Sequence, residues 1–183
     1  MKKEFTYKEF EKVIGELETK RIEYFVFGGF AFDTINNKKE NHGDLDIVIF
    51  EKDKEKIKPL FEELGYTSYL HGRKHEYQRD GHKVDVIFIA EKKDHYEIMG
   101  NVCRDKVSKD AFAKKNRVET DKLEFTIMPY EWFSLYKGKH YKKEKRKTTD
   151  RTIEKIKPLC KRLKVLSSEK IPKPKNMEKI RLK

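Results

Sequence analysis

The chain has 183 residues, enough for one domain with a small appendage, and it is 42% charged and 36% hydrophobic. Its apolar residues nevertheless cluster, as in Tyr24 to Phe27 and Val84 to Ala90, which excludes a wholly disordered chain. The net charge of +12 is lopsided: residues 1–135 hold 25 Lys/Arg and 27 Asp/Glu, whereas residues 136–183 hold 19 and 5, a basic block suited to a polyanion such as a nucleoside triphosphate or RNA, or to a plain solvated lysine face.

In chain order, residues 6–20 have Phe10, Val13, Ile14 and Leu17 at helical spacing and predict an amphipathic helix. Residues 23–27 predict a strand stopped by Gly28 and Gly29, with a short helix through Phe30 to Ile35 beginning at those glycines. A polar loop, 36–43, leads to a strand at 44–50 (DLDIVIF). Residues 52–64 predict a helix with Ile57, Leu60, Phe61 and Leu64 on one face, ended by Gly65. EYQRD and HKVDVIFIA flank Asp80-Gly81, a strong tight-turn dipeptide, and predict a hairpin. Residues 105–116 read as irregular, 123–128 as a strand, and Tyr130 to Tyr136 and Thr149 to Leu166 as helices. The expected fold class is α+β: a small mixed β-sheet flanked by helices, with a short basic C-terminal helical extension. The expected division is a core at 1–128, C-terminal helices at 129–166 and a flexible basic tail at 167–183.

Side chains two apart on a strand point the same way, so Asp44 and Asp46 share a face while Leu45 turns to the core. Two carboxylates so placed repel unless a cation or donor lies between them. An all-oxygen carboxylate set suits Mg²⁺, which normally binds together with substrate phosphates. Asp85 interrupts the apolar run VDVIFIA as Asp46 interrupts its own, and a buried acid of this kind needs a partner charge. Three acids on adjacent strands make a site for two Mg²⁺ ions, the arrangement used for in-line phosphoryl chemistry. Gly28 and Gly29, lacking Cβ atoms, let backbone N–H groups at a helix start approach a phosphate.

GGFAFD…NHGDLDIVI resembles the GG-(aromatic)-A-x-D…H-x-D-[IL]-D signature of the nucleotidyltransferase superfamily of polymerase-β type, closest to the branch of lincosamide and aminoglycoside nucleotidyltransferases and minimal nucleotidyltransferases. The resemblance runs over roughly residues 10–160, with its sharp motifs at 28–46 and 85. It implies that Gly28 and Gly29 hold nucleotide phosphates, that Asp44, Asp46 and Asp85 bind Mg²⁺, and that Asp85 takes the proton from the acceptor hydroxyl. The stretch YKGKHYKKEKRKTTD, with Lys137, Lys145, Lys147 and Asp150, is similar to the family's basic C-terminal pattern, which makes Lys137 and Lys147 candidates for contacting the triphosphate. The chain departs from the pattern in having Gly-Gly where many members have Gly-Ser, and Lys39-Glu40-Asn41 before His42 where drug-modifying relatives often have Thr-Arg.

His42, beside the paired aspartates, either contacts the nucleotide or fixes the loop, and Asp33 reads as structural. His71, His75 and His82 lack the spacing of a zinc site and read as surface or loop residues. Cys103 and Cys160 form no metal or disulfide pattern, and MKKEFTYKEFEKVIG has no hydrophobic signal core. The expectation is a cytoplasmic enzyme, without membrane contact, that moves an NMP group from an NTP (ATP among them) to the hydroxyl of a small molecule, a toxin protein or an RNA end. A homodimer or partner would supply part of the acceptor pocket, since the chain is small. The alternative is a non-catalytic module of the same fold that binds RNA or protein through its basic block.

Overall fold

The computed structural model describes residues 4–35, 39–71, 74–99, 103–109, 116–119, 122–128 and 179–181. Helix α1 (Tyr7–Thr19) starts at Thr6, whose hydroxyl accepts a hydrogen bond from the Glu9 amide, so that Thr6 and Glu9 stand at the spacing of a capping box. Its apolar stripe, Phe10, Val13, Ile14 and Leu17, is buried as the periodicity requires. Strand β1 (Tyr24–Phe27) runs directly into helix α2 (Gly28–Ile35). Strand β2 (Leu45–Phe50) is followed by a 3₁₀ turn (Glu51–Asp53) and helix α3 (Lys54–Glu63). Gly65, at φ +81°, takes the left-handed conformation that ends α3.

Strands β3 (Thr67–His71), β4 (Lys74–Arg79) and β5 (His82–Glu91) follow. Asp80 and Gly81, both at positive φ (51° and 86°), close β4 onto β5 as a two-residue turn whose twist matches the strands. Strands β6 (His95–Met99), β7 (Cys103–Ser108), β8 (Asn116–Glu119), β9 (Glu124–Ile127) and β10 (Lys179–Arg181) complete the described elements.

Among the described residues the strands form one ten-stranded mixed sheet in the order β10-β7-β6-β5-β2-β1-β9-β8, with β4 and β3 branching from β5. The pairs β2–β5 and β1–β9 are parallel and the remainder antiparallel. The far edge of β5 is shared: residues 82–86 pair with β4, and residues 89–91 pair with β6. The sheet is therefore the mixed, helix-flanked α+β sheet expected, but larger than the apolar pattern suggested.

One sheet face carries Leu45, Ile47 and Ile49 of β2, Val84 and Val86 of β5 and Tyr77 of β4, all buried. Helix α3 packs there, Phe61 stacking on Tyr77 with ring centres 4.2 Å apart. Helix α1 reaches α2 and β9 through Phe10, which stacks on Phe30 at 4.8 Å and meets Phe125 edge-on at 5.1 Å. Glu9 fastens α1 to the hairpin side, accepting from the Tyr66 hydroxyl at 2.7 Å and pairing with Arg79. In-register neighbours project on one face, so Asp46, Asp85 and Glu76 lie on the side opposite this core.

One expectation is corrected. Residues 103–108 are a regular strand, β7, held between β6 and β10 by backbone pairing, where the sequence read as irregular from 105 on. Strand β3 was not expected because Thr67 to Leu70 are all exposed, so no burial imposes alternation on them. Lys179–Arg181, within the segment expected to be flexible, pairs with Cys103 to Asp105 of β7. The two C-terminal helices, Lys137 and Lys147 lie outside the described residues. Among the described residues no helix is long and apolar enough to cross a membrane.

Candidate active site

The parallel register of β2 and β5 sets Asp46 directly beside Asp85, with Leu45 beside Val84 and Ile47 beside Val86. On the other side of β5 the hairpin register sets Glu76 beside Asp85, and on the other side of β2 it sets Phe27 beside Asp46. One row of the sheet thus reads Phe27, Asp46, Asp85, Glu76. Asp44 lies just ahead of β2, one pleat before Asp46. Asp85 is buried, with 2% exposure.

A lysine occupies the middle of these acids. Lys83, two residues before Asp85 and so on the same face, places Nζ 2.9 Å from Asp85 Oδ2, 3.0 Å from Asp44 Oδ2 and 3.7 Å from Glu76 Oε2. Burial pulls the Lys83 pKa down, but hydrogen bonds to Asp85 and Asp44 and their negative charges reverse this and leave it raised. The ammonium is the charge on which the carboxylates converge.

Gly28 stands where β1 turns into α2, at φ +72°. A Cβ built there would lie 2.1 Å from Asp46 Oδ2, so only glycine allows the Asp46 carboxylate to rest against the backbone. At Gly29 a Cβ would lie 2.3 Å from His42 Nδ1. His42 is held in place by backbone bonds with Phe5, by the edge of Phe30 at 4.5 Å and by Asp33, whose Oδ2 is 2.7 Å from His42 Nε2. The two atoms meet at ion-pair distance without a well-aligned hydrogen bond, and neither has a hydrogen-bond partner among the described residues. The glycine pair therefore seats Asp46 and His42 side by side. Asp33→Ala is expected to lower the unfolding free energy by about 1 kcal/mol, because it removes the acid that stands 2.7 Å from the His42 ring nitrogen and leaves a space beside it. Urea unfolding read by fluorescence measures it, and an unchanged midpoint would show that the pair carries nothing.

Three members of this assembly, Lys83, Glu76 and Asp33, were not singled out as site residues from sequence. Lys83 shares a strand face with Asp85, and Glu76 follows from a two-residue turn at Asp80-Gly81, which sets Arg79 opposite His82 and Glu76 opposite Asp85. Asp33 is one helical turn past Gly29, and nothing in the sequence pairs it with His42. His75 and His82, expected at the surface or in loops, lie in β4 and β5 and pack edge-on against Phe88 and Phe5 respectively.

The acid cluster offers a hard cation its preferred ligands, carboxylate oxygens, and a positive charge already sits where Asp44 and Asp85 meet. The residues fit such an ion in chemistry and charge. Among the described residues, no group of three or more His, Cys, Asp or Glu side chains stands ready to hold a metal, which agrees with Lys83 filling the middle.

The mixed sheet, with glycines between strand and helix beside paired strand acids, is that of a nucleotidyltransferase, the class that the family match shows for this chain. Residues 9–151 match the model of the aminoglycoside-2''-adenylyltransferase family, and the chain belongs to that family. Among solved structures it is similar to the lincosamide antibiotic adenylyltransferase LnuA in its lincomycin-bound form, with 17% identity, a TM-score of 0.67, and 86% of this chain and 99% of that one covered. It is similar as well to ANT(2'')-Ia in complex with adenylyl-2''-tobramycin, with 14% identity, a TM-score of 0.65, and 90% and 91% covered. A putative nucleotidyltransferase from Thermotoga maritima shares the fold at 18% identity and a TM-score of 0.53, with 80% and 91% covered. No curated protein matches the chain in sequence.

Proposed function

We propose that this protein moves an AMP group from ATP to a hydroxyl of a small polyhydroxylated acceptor, with Mg²⁺ and release of pyrophosphate. The observation that carries this reading is the in-register pair Asp46 and Asp85, joined by Asp44 around one cation position and backed by Gly28. Asp44, Asp46 and Asp85 would hold the Mg²⁺, which supplies Lewis-acid polarisation of the phosphoryl oxygens when bound. Asp85, the buried member, takes the proton from the acceptor hydroxyl. The N–H groups at Gly28 and Gly29 face the phosphates at the start of α2, and His42, fixed by Asp33, flanks them. Lys137 and Lys147 of the basic block neutralise the departing pyrophosphate.

Two considerations favour ATP and a small acceptor over an RNA end or a toxin protein. The family is one of adenylyltransferases, and the similar structures are of enzymes that adenylylate antibiotics or bind lincomycin. A second copy of the chain supplies a wall of the acceptor pocket, so light scattering is expected to give a dimer.

The test is incubation with each α-labelled NTP and Mg²⁺, with aminoglycosides, lincosamides and RNA as separate acceptors. Label from ATP on a small acceptor supports the reading. Label on RNA alone moves the acceptor class. No transfer to any acceptor, together with no NTP binding at millimolar concentration by calorimetry, leaves the non-catalytic binding module.

A further inference from the structure

We propose that Lys83 is a place-holding cation: its ammonium holds the acid cluster together before metal arrives, leaves Asp44 and Asp85 when a divalent cation binds, and is received by Glu76. The proposal rests on the reading that this site takes a divalent cation.

The carboxylates of Asp44 and Asp85 are two like charges brought together by adjacent strands, with Asp46 and Glu76 in the same row. Without a counter-charge they repel, and the sheet register would be working against them. Lys83 supplies one positive charge at 2.9 Å and 3.0 Å from two of them. Those oxygens are the ones a metal would need, so the ammonium and a metal exclude each other. A divalent ion carries twice the charge and approaches carboxylate oxygen to about 2.1 Å, which favours it once it arrives. The displaced ammonium stays on the strand face it started from. The third carboxylate, Glu76, already lies 3.7 Å from Nζ, longer than the other two contacts and therefore able to shorten. Glu76 is itself well covered, its side chain 12% exposed, so it gives the ammonium a partner away from bulk water.

The device has a consequence for order of binding. Metal alone competes with Lys83 and binds weakly, whereas metal arriving with a triphosphate brings additional oxygen ligands and binds well.

The experiment uses Mg²⁺ alone as probe, on the full chain, by calorimetry and thermal unfolding, for the wild type, Lys83→Met and Glu76→Gln. Lys83→Met is expected to unfold at lower temperature than the wild type without metal, to bind Mg²⁺ about tenfold tighter and to gain more in Tm from it. Glu76→Gln is expected to bind Mg²⁺ several-fold more weakly, since the ammonium loses its second partner. A double-variant comparison completes the set: in Lys83→Met/Glu76→Gln the Glu76 change is expected to leave Mg²⁺ affinity close to that of Lys83→Met, because no ammonium remains to be received. If the wild type binds Mg²⁺ but Lys83→Met binds it no tighter, or if Glu76→Gln weakens Mg²⁺ binding equally with and without Lys83, the place-holder fails while the metal site stands. If no protein binds Mg²⁺ even with a non-hydrolysable NTP, the metal reading fails and the place-holder with it.

Discussion

Asp85→Asn is expected to lower nucleotidyl transfer by roughly 10²–10⁴-fold, the range for loss of a general base, while leaving the protein folded. The substitution keeps the size and most of the shape of the side chain. It removes the one buried carboxylate of the row and the proton acceptor assigned to the acceptor hydroxyl. Lys83 keeps Asp44 at 3.0 Å, and one side-chain ion pair is lost in exchange for relief of repulsion from Asp46 and Glu76. The stability change is expected to be a loss of about 1–3 kcal/mol, because Asp85 is buried and the amide that replaces it no longer answers the charge of Lys83. Initial rates with α-labelled ATP, set beside urea midpoints, separate the two quantities. A variant that keeps near wild-type transfer would remove Asp85 from the chemistry. A loss of activity that follows a loss of folding would reduce it to a structural residue.

Gly28→Ala is expected to destabilise the protein strongly. Gly28 has φ +72°, a conformation that costs an L-residue about 1–2 kcal/mol. The added Cβ would fall 2.1 Å from Asp46 Oδ2, a distance no relaxed structure tolerates. The carboxylate must move out of its row, or α2 must lift from the end of β1. The total loss is expected to reach about 3 kcal/mol in unfolding free energy, within the range for strain at a special backbone position, with transfer activity lost alongside. Gly15→Ala is the control. Gly15 lies inside α1 with nothing within 4 Å of its added Cβ, and the change is expected to raise stability by about 0.5–1 kcal/mol through helix propensity. Thermal unfolding of the two alanine variants gives the comparison. Equal stability of Gly28→Ala and wild type would mean that Asp46 does not rest against that backbone.

The two glycines thus act on different groups: Gly28 admits a carboxylate and Gly29 admits an imidazole. That division explains why a Gly-Gly pair, and not one glycine with any neighbour, ends β1. It places His42 in the same construction as Asp46, because both side chains lie against the start of α2. The tie from His42 to Asp33 then connects the far end of α2's first turns to the acid row.

Much of this molecule is written in local pattern. The stripe of α1, the apolar runs of β1, β2 and β5, the stop at Gly65 and the turn at Asp80-Gly81 each follow from residues a few positions apart. The side-chain alternation of a strand placed Asp44 and Asp46 on one face, and the interruption of VDVIFIA marked Asp85. Those signals are legible because burial of one face writes a period into the sequence. Strands β3, β7 and β8 are short and carry mostly polar residues, so little period is written into them, and their pairing rests on backbone hydrogen bonds, which are indifferent to side-chain identity. What only the tertiary structure decided is adjacency. The parallel register of β2 and β5 brings Asp46 level with Asp85, and the same register brings Lys83 level with Asp44, although about forty residues separate the two strands. No local pattern encodes which strand neighbours which, because pairing is set by how the whole core closes over both. The carboxylates were visible one at a time; that a lysine stands among them, and that a glycine makes room for one of them, came from strands distant in sequence being packed side by side.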